Sequence, residues 1–466
     1  MPHITGSTSS THSAAVAALL DALPGRVETS RPVLEQYRKD RSGQVSAGTP
    51  LCVVEARSVD DIRAACRLAS AHGVAIVPRG LGSGLVGGAI AGPGEIVLST
   101  RSMNRVLRLS PQNRLVVVEP GIVNAELNRL LGEHGLWWPP DPASREFSTV
   151  GGNIATNAGG LLCAKYGVTR EAVLSLKVVL ADGRLITVGH DTVKGVTGLD
   201  LCALMIGSEG TLGVIAECTL KLRPLVTGPV AAVGAYFASV DRAAAAAASV
   251  VAAGWTPAVM ELMDRLTLEC VSRHVGVDLL AQGNALLLVQ TDGVAALTEA
   301  QAVEDILERA GGSVQLTTDP EEVARLLAIR RQAFPAIERL GTLLVEDVAV
   351  PLDQMSAMFR RVREVEDRYG VLIPTACHAG DGNLHPTFAF QGQQVPDAVW
   401  EAAGELFEYA LELGGTLSGE HGIGLLKRRW LGDELGEEQL TIQRQIKAAF
   451  DPAGILNPGK VFAPLP

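Results

Sequence analysis

The sequence predicts an α+β protein of more than one domain. Its 466 residues suffice for roughly two to three domains at about 150 residues each. Residues 51–77 alternate as strand, helix and strand, and Ser58 with Asp61 three positions later predicts the start of that helix. Further along, strands at 230–237 and 285–291 accompany helices at 241–253 and 298–310, which favours an antiparallel sheet. A further helix is expected at 321–334 and a further strand at 343–350.

The domain limits follow from changes in composition. A shift at 223–229 indicates a boundary between two large domains. The predicted segments are a leader with a helix (1–46), a first domain (47–226), a second domain (227–414) and a C-terminal helical segment (415–466).

Charge and cysteine content exclude several classes of protein. A net charge of −11 provides no basic stripe for neutralising phosphates and argues against a nucleic-acid partner. The seven cysteines are scattered, and the N-terminus lacks a basic and apolar signal segment, so we expect reduced thiols in the cytoplasm. The alanine-rich stretch 243–253 is too short to span a bilayer, which leaves at most peripheral membrane association.

The first glycine loop follows a predicted strand at 74–77. In residues 78–88, free backbone N–H groups predict a nest for a pyrophosphate. Gly82, Gly84 and Gly87 also spell G-x-G-x-x-G, the fingerprint of nicotinamide-binding proteins. That fingerprint requires a helix within the motif and an acidic residue about twenty positions later, and neither is predicted here. A glycine loop without a ligand stays open as an alternative.

Two further stretches are rich in small residues. The run 148–160 has almost no bulky side chain, which suits a backbone floor under a large planar ligand, whereas close helix packing is the alternative. Residues 207–213 form a third glycine loop ahead of an alternating strand at 214–222.

Two histidine-containing segments, 377–387 and 418–424, predict a metal site. Asp381-Gly382-Asn383 is strong turn chemistry between predicted strands, so His378 and His385 are expected at facing ends of a hairpin. A carboxylate from the second segment, Glu420, would complete a His2Glu set with open coordination positions, which is typical of catalytic divalent sites. A polar hairpin that happens to carry histidines is the alternative.

Seven motifs in order resemble one family across nearly the whole chain. They are P-R-G-L-G-S-G, D-P-A-S-R-E-F-S-T-V-G-G-N, G-S-E-G-T-L-G-V-I, D-V-A-V-P, H-A-G-D-G-N-L-H, S-G-E-H-G-I-G and L-N-P-G-K-V. The chain resembles flavoproteins with a vanillyl-alcohol-oxidase (PCMH-type) FAD domain, in the branch of D-2-hydroxyacid dehydrogenases that includes D-lactate dehydrogenase and the glycolate oxidase FAD subunit. The resemblance implies a two-part FAD-binding domain, an α+β substrate domain and a C-terminal helical segment that returns to the flavin.

The resemblance also implies cofactor residues. Those expected to contact FAD are Pro78, Arg79, Gly80, Leu81, Gly82, Ser83, Gly84, Gly87, Gly88, Asp141, Ser144, Ser148, Thr149, Gly152, Asn153, Asn157, Glu209, Gly210, Ile215 and Asn457. Some relatives tether the flavin to a histidine in or near the first loop. This loop offers leucine, serine and valine between its glycines, so we expect non-covalent FAD.

By the same resemblance, His378, His385 and Glu420 would bind zinc, manganese or iron, and His421 would be the catalytic base. Such an ion lowers the pKa of a substrate hydroxyl so that a neutral imidazole can take its proton. Asn383 is expected to contact substrate or metal ligands, with a purely structural turn as the alternative. Arg330 would bind the substrate carboxylate; a solvated helix face is the alternative, and Arg331 competes for the role.

The predicted reaction is oxidation of a D-2-hydroxy acid to the 2-oxo acid, with electrons passed to a quinone, a cytochrome or an electron-transfer protein. Relatives specific for D-2-hydroxyglutarate carry a lysine where this chain has Leu344-Val345-Glu346, which disfavours a dicarboxylate. The rivals are an oxidase using O2, a metal-dependent hydrolase and a non-enzymatic FAD-binding subunit. The substrate, among D-lactate, glycolate and larger 2-hydroxy acids, and the oligomeric state, with a homodimer among the options, stay open.

Overall fold

The computed structural model describes residues 6–463 and divides the chain into two compact units. The first unit contains the described residues through Ala158, then Val168–Leu225, and the chain from His421 onward. The second contains Gly159–Gly167 and Val226–Glu420. The first five residues of the predicted leader lie outside the described residues, and the first helix begins at Gly6.

The first unit carries strands β1 to β11 and most of the first seven helices. Its strands are β1 (Val27–Glu28), β2 (Cys52–Glu55), β3 (Ala75–Arg79), β4 (Glu95–Ser99), β5 (Val106–Ser110), β6 (Leu115–Val118), β7 (Leu136–Trp137), β8 (Val173–Val179), β9 (Leu185–Gly189), β10 (Val214–Lys221) and β11 (Arg223–Pro224). Its helices are α1 (Gly6–Ala22), α2 (Arg31–Leu34), α3 (Val59–His72), α4 (Asn124–Gly132), α5 (Val150–Thr156), α7 (Leu201–Met205) and α15 (Leu431–Phe450).

A four-stranded sheet in the order β1-β2-β4-β3 forms one layer of the first unit. Strands β2, β4 and β3 run parallel, as the predicted strand-helix-strand opening requires. The Ser58 hydroxyl accepts a hydrogen bond from the Asp61 amide, so the predicted start of α3 is confirmed. Helices α1 and α3 pack on this sheet through a fully buried core that includes Leu19 and Ile62.

An antiparallel sheet in the order β5-β6-β10-β8-β9 forms the other layer of the first unit. Helices α4 and α5 cover it through Leu127 and Ile154, together with the buried indole of Trp138. The chain past residue 450 returns to the parallel sheet, where Leu456 bridges Ile76 of β3. Residues that lie far apart in sequence therefore meet beside the loop that follows β3.

The second unit is an α+β domain built on one antiparallel sheet. Its strands are β12 (Val230–Phe237), β13 (Val259–Met263), β14 (Ala285–Asp292), β15 (Ser313–Thr317), β16 (Thr342–Val345), β17 (Val348–Ala349), β18 (Thr375–His378) and β19 (Asn383–Phe390). Its helices are α6 (Cys163–Tyr166), α8 (Val240–Ala252), α9 (Arg265–Val275), α10 (Ala296–Arg309), α11 (Pro320–Arg331), α12 (Ala333–Ile337), α13 (Met355–Tyr369) and α14 (Asp397–Glu412).

The sheet of the second unit has the order β15-β12-β14-β13-β18-β19-β16, with β17 also paired to β19. Residues 286–289 of β14 are fully buried without alternation, which is typical of a strand covered on both faces. The predicted α+β class and antiparallel sheet are confirmed. Strands β13 and β15 and helix α9 were not predicted, because short apolar runs give a weak periodic signal.

Two predicted elements of the second unit are wrong in extent. The expected strand at 343–350 is broken at residues 346–347, where the Asp347 carboxylate accepts hydrogen bonds from another segment. The expected helix at 321–334 is two helices, since α11 ends at Arg331 and α12 begins at Ala333. All seven cysteines are free and buried. Within residues 6–463, no helix is both long enough and apolar enough to cross a membrane.

Candidate active site

The first glycine loop connects β3 to β4 without a helix. After β3 ends at Arg79, residues 80–94 turn and bend until β4 begins. The nicotinamide alternative is therefore wrong, because its fingerprint needs a helix that starts within the motif. The loop closes around the Arg79 guanidinium, which donates to the carbonyl oxygens of Ala89 and Lys39 (Nη2–O, 2.9 Å). Gly82, at φ 68°, leaves the space that this guanidinium fills.

A segment predicted as leader supports this loop. Arg79 lies over the Tyr37 ring at 5.1 Å, and the amide of Arg41 donates to the Gly84 carbonyl at 3.0 Å. Asp40 accepts from the Ala89 amide at 3.4 Å, and burial raises the pKa of its carboxyl. The loop conformation thus depends on residues 37–41, for which the sequence carries no binding signal.

Glu209 joins the third glycine loop to the C-terminal segment within the first unit. Its buried carboxylate accepts hydrogen bonds from the amides of Ile423 (2.7 Å) and Gly424 (2.9 Å). Burial raises the pKa of Glu209 to about 7. The two hydrogen bonds and the positive charge of Lys427 lower this pKa, but their effect is smaller than that of burial. Cβ atoms built at Gly88 and Gly422 would lie 3.2 Å and 2.9 Å from this carboxylate, so glycine lets both backbones approach it.

Asn457 lies beside the same loops. It sits in left-handed backbone (φ 43°) and is 1% exposed. Its Nδ2 donates to the carbonyls of Gly88 (2.9 Å) and Glu209 (2.8 Å). Its Oδ1 is buried and accepts no hydrogen bond from the described residues. A buried acceptor without a donor is costly unless a ligand supplies one.

The loops of the first unit fit FAD. The Oδ1 of Asn457 suits an N–H donor such as that of a flavin ring, and a Cβ at Gly84 would meet open space. A cavity of about 470 Å³ adjoins the loop at Leu81, in the size range of cofactor sites. It is lined by Leu81, Arg101, Ser102, Asn104, Gly121, Ile122, Val123, Glu126 and Leu130.

The small-residue run is partly helical. Thr149 begins α5 by accepting from the Gly152 amide (3.1 Å), and Asn157 ends it in left-handed backbone. The Asn153 amide donates to Ser148 Oγ (3.1 Å) and accepts from Asn124 (3.1 Å). These side chains are occupied within the protein, which leaves the backbone for a ligand.

Close packing also explains why one residue of the run 148–160 is small, since a Cβ at Gly151 would lie 2.6 Å from Pro120. The remaining predicted cofactor residues are spread over the first unit. Asp141 and Ser144 precede α5, Ile215 lies on β10, and a Cβ at Gly210 would lie 3.2 Å from Pro78.

In the second unit, the two histidines of the predicted hairpin converge. Strands β18 and β19 pair with His378 opposite Asn383 and Ala376 opposite His385, so the histidines form a diagonal pair on one face. Their ring centroids are 4.9 Å apart at 84°. Oε1 of Glu420 lies 3.5 Å from His378 Nε2 and 3.3 Å from His385 Nε2.

One ligand atom from each of these three residues lies within 4.8 Å of the others. Two imidazoles and one carboxylate in this arrangement fit a zinc, manganese or iron ion with open coordination positions. The convergence of the two histidines agrees with the predicted hairpin, although they form a diagonal pair rather than an opposed one.

A buried residue that the sequence did not indicate holds His378. Oε1 of Glu261, on β13, lies 2.6 Å from His378 Nδ1, and Oε2 accepts from Arg330 Nε at 2.7 Å. Burial alone lowers the pKa of His378, but Glu261 and Glu420 together raise it well above its ordinary value. The only sequence signal is an acidic residue within the apolar strand V-M-E-L-M.

Asp347 positions Glu420, the third predicted ligand. It is fully buried and accepts from the Glu420 amide (2.7 Å) and the Ser418 hydroxyl (3.0 Å). Asn383 donates to Asp347 (3.5 Å) and to the Val348 carbonyl (3.0 Å), so its amide nitrogen is engaged within the second unit. A Cβ at Gly159 would lie 2.6 Å from Glu420 Oε2, which makes glycine necessary beside this carboxylate.

The predicted base and ligands fall on either side of the division between units. Glu420 is the last residue of the second unit, and His421 belongs to the first. Arg330 lies in the last turn of α11, with a side chain 17% exposed. Its Nε is bonded to Glu261, while its terminal nitrogens make no hydrogen bond within residues 6–463.

Comparison with protein families gives two matches. The model for the FAD binding domain matches residues 50–189. The model for the C-terminal domain of FAD linked oxidases matches residues 229–461.

Several relatives match over most of their length. The glycolate oxidase subunit GlcD of Bacillus subtilis is 38% identical over 95% of this chain and 93% of its own. D-lactate dehydrogenase of Archaeoglobus fulgidus is 35% identical over 96% of this chain and 99% of its own. The mitochondrial D-lactate dehydrogenase [cytochrome] of Arabidopsis thaliana is 33% identical over 89% of this chain and 74% of its own.

Solved structures share the fold. Substrate-bound p-cresol methylhydroxylase superposes with a TM-score of 0.80 at 17% identity, covering 98% of each chain. Alkyldihydroxyacetonephosphate synthase gives a TM-score of 0.74 at 21% identity, over 95% of this chain and 85% of its own. At these identities the likeness concerns the fold alone, and it confirms the predicted PCMH-type FAD-binding architecture.

Proposed function

Because this chain belongs to the family of FAD-linked D-2-hydroxyacid dehydrogenases, we propose that it oxidises a small D-2-hydroxy acid with the aid of a divalent metal. Membership of this family makes the chain an FAD-linked hydroxyacid oxidoreductase. The observation that carries the metal-dependent part is the convergence of His378, His385 and Glu420 within 4.8 Å. We further propose that FAD is bound without a covalent link.

The division of roles follows from the side chains. A bound FAD would accept a hydride, and a bound divalent ion would lower the pKa of the substrate hydroxyl. His378, His385 and Glu420 would hold the ion, and the terminal nitrogens of Arg330 would bind the substrate carboxylate. His421 would take the hydroxyl proton as a neutral imidazole. Asn457 and the glycine loops of the first unit would hold the flavin.

The proposed substrate is a monocarboxylic 2-hydroxy acid such as D-lactate or glycolate. The relatives include a glycolate oxidase subunit and a D-lactate dehydrogenase, whose names refer to these two acids. Residues 344–346 are Leu-Val-Glu and offer no cation for a second carboxylate. For the electron acceptor we propose a quinone, a cytochrome or an electron-transfer protein, and for the location the cytoplasm, where seven free thiols stay reduced.

The test is the visible spectrum of anaerobic protein before and after D-lactate or glycolate, repeated after treatment with a chelator. We expect a yellow protein that bleaches with one of these acids only when metal is present. A yellow protein that bleaches equally well after chelation contradicts the metal dependence. One that bleaches with neither acid contradicts the substrate class, and a colourless protein unable to take up FAD contradicts the whole proposal.

The same preparation separates the rival functions. Rapid reoxidation by air with formation of hydrogen peroxide identifies an oxidase. Bleaching by D-2-hydroxyglutarate alone identifies a dicarboxylate dehydrogenase. Turnover of an ester without any change of the flavin spectrum would indicate a metal-dependent hydrolase.

The role of His421 is tested by His421→Ala. We expect this variant to retain FAD and metal, since neither would be held by the imidazole, and to reduce flavin at least 100-fold more slowly, within the range for general-base catalysis. Stopped-flow reduction at saturating substrate measures this rate. Unchanged reduction removes His421 from the mechanism.

A further inference from the structure

Glu261 is a charged residue where an apolar one is expected. It occupies the centre of β13 and is fully buried, between strands β14 and β18. In the pairing of β13 with β18, Glu261 stands opposite His378. A buried carboxylate is strongly unfavourable unless it is paired and hydrogen-bonded, so its retention calls for a specific use.

Each oxygen of Glu261 holds a different functional group. Oε1 lies 2.6 Å from His378 Nδ1, and Oε2 lies 2.7 Å from Arg330 Nε. Because an ionised carboxylate only accepts hydrogen bonds, His378 must carry a proton on Nδ1. The remaining nitrogen, Nε2, is the one that faces Glu420. The tautomer required of a metal ligand is therefore set by Glu261.

The same carboxylate sets the direction of Arg330. A guanidinium that is bonded only through Nε keeps N–H donors on both terminal nitrogens, and these can pair with the two oxygens of another carboxylate. In Arg330 these nitrogens have no partner among the described residues, so both remain available for a carboxylate ligand. The partial exposure of this side chain, 17%, leaves it accessible.

We propose that Glu261 is a positioning residue that orients the metal ligand His378 and the substrate-binding Arg330 at the same time. This inference rests on the proposed metal-dependent function and extends it by coupling two binding events. If one carboxylate orients both groups, its loss weakens metal binding and substrate binding together.

Glutamine distinguishes this role from simple filling of space. An amide of the same size has one accepting oxygen and one donating nitrogen. It can accept from His378 or from Arg330, and it then presents a donor to the other, which also donates. Glu261→Gln must therefore give up at least one of the two orientations while the volume of the core is kept.

The experiment compares wild type, Glu261→Gln, Arg330→Met and the double variant. The affinity for Mn²⁺ is measured by chelator competition without substrate. KM and kcat for D-lactate or glycolate are measured at saturating metal. For Glu261→Gln we expect a 10- to 100-fold loss of Mn²⁺ affinity, as for other residues that orient metal-bound histidines. We also expect its KM to rise by about tenfold, the equivalent of one lost charge-assisted bond.

Arg330→Met is expected to raise KM while it changes Mn²⁺ affinity by less than about threefold. In the double variant the two increases in KM should not multiply, because both substitutions remove the same contact of Arg330 with the substrate carboxylate. General loosening of the structure would not produce this result. Flavin absorbance and thermal melting show that each variant is folded.

Glu261→Asp is the second variant. It keeps the charge but retracts it by one methylene, and we expect a loss of Mn²⁺ affinity of about tenfold. If wild type binds Mn²⁺ and the glutamine or aspartate variant binds it with equal affinity, the positioning role is overturned and the proposed function still stands. Wild type that binds neither Mn²⁺ nor Zn²⁺ overturns the metal site and, with it, this inference.

Discussion

The proposed metal cluster of the second unit, which consists of His378, His385 and Glu420, and the proposed cofactor loops of the first unit are built in opposite ways. The cluster consists of side chains, two of them on one hairpin, with nitrogen and oxygen atoms facing one another. The cofactor loops consist mainly of backbone, and side chains tie them together from a distance. Glu209 bonds an amide 214 positions away, and Asn457 bonds a carbonyl 369 positions away.

This difference predicts how each region responds to substitution. In the cluster, each side chain is proposed to bind the metal directly, so its removal should abolish a function without unfolding the protein. In the loops, the tying residues determine shape, and their loss should appear as weaker folding or weaker cofactor binding. The four predictions below test that contrast, from the largest expected effect to the smallest.

Removal of one ligand should have the largest effect. His385→Ala leaves two of three protein ligands, and we expect loss of metal and a roughly 10³-fold fall in kcat/KM, since a bound ion supplies several kcal/mol to catalysis. Metal content after dialysis and steady-state rates measure this, with FAD content unchanged. His274→Ala, on α9 of the same unit and outside the cluster, is the matched control. Retained metal and activity in His385→Ala would remove the side-chain site from the comparison.

Glu209 should make the stability of the FAD-free protein depend on pH. Its pKa rises from 4.5 in the unfolded chain to about 7 in the fold, so the folded protein binds more protons between these values. The free energy of unfolding should therefore fall as pH rises through that window, by about 3 kcal/mol, and level off above it.

Urea unfolding of wild type and Glu209→Gln at about pH 5 and about pH 8 checks the sign. The glutamine variant lacks the ionisation and should show a smaller decrease. An identical pH dependence in both proteins would show that Glu209 carries no such penalty.

Gly82→Ala should weaken the cofactor loop. The new methyl group would collide with the Arg79 guanidinium and displace it from the carbonyls of Ala89 and Lys39. We expect FAD affinity to fall about tenfold, the cost of one or two lost hydrogen bonds. Gly43→Ala is the control, since Gly43 has a similar positive φ (79°) but open space around its Cβ. Equal FAD affinities in the two variants, measured by flavin fluorescence, would contradict the role of Arg79.

Gly159→Ala should have the smallest effect and act on the metal cluster. A Cβ there would lie 2.6 Å from Glu420 Oε2, so the carboxylate must shift while all three ligands stay present. We expect metal affinity to fall about fivefold, roughly 1 kcal/mol. Gly132→Ala, with nothing near its Cβ, serves as control. Unchanged affinity would mean that Glu420 tolerates displacement.

The sequence indicates the residues of the proposed metal cluster better than it indicates the residues that position them. His378 and His385 flank a turn whose chemistry is local, so both the hairpin and the convergence of the rings could be predicted. Glu261 could not be predicted because its contact with His378 depends on the pairing of β13 with β18, two strands separated by more than a hundred residues. Asp347 belongs to the motif D-V-A-V-P, but its bond to the Glu420 amide could not be predicted because it depends on a break within a predicted strand.

For the cofactor loops, glycine patterns showed where backbone must turn but not what holds it. Residues 37–41 carry no motif, yet Tyr37 and Asp40 contact the first loop. Small residues in the run 148–160 predict a floor for a ligand, but they also allow a short helix, and α5 shows that part of the run is helical. Long-range contacts of this kind leave no periodic trace in a sequence.

The return of the chain at Asn457 to β3 has a consequence for biosynthesis. While the ribosome translates Val226–Glu420, the earlier glycine loops have been made but lack the partners of Glu209 and Ile76, which lie beyond residue 420. At roughly 5–20 residues per second, this interval lasts on the order of ten seconds or more. A nascent chain should therefore be unable to retain flavin until its last segment has emerged, which makes cofactor loading a late event in maturation.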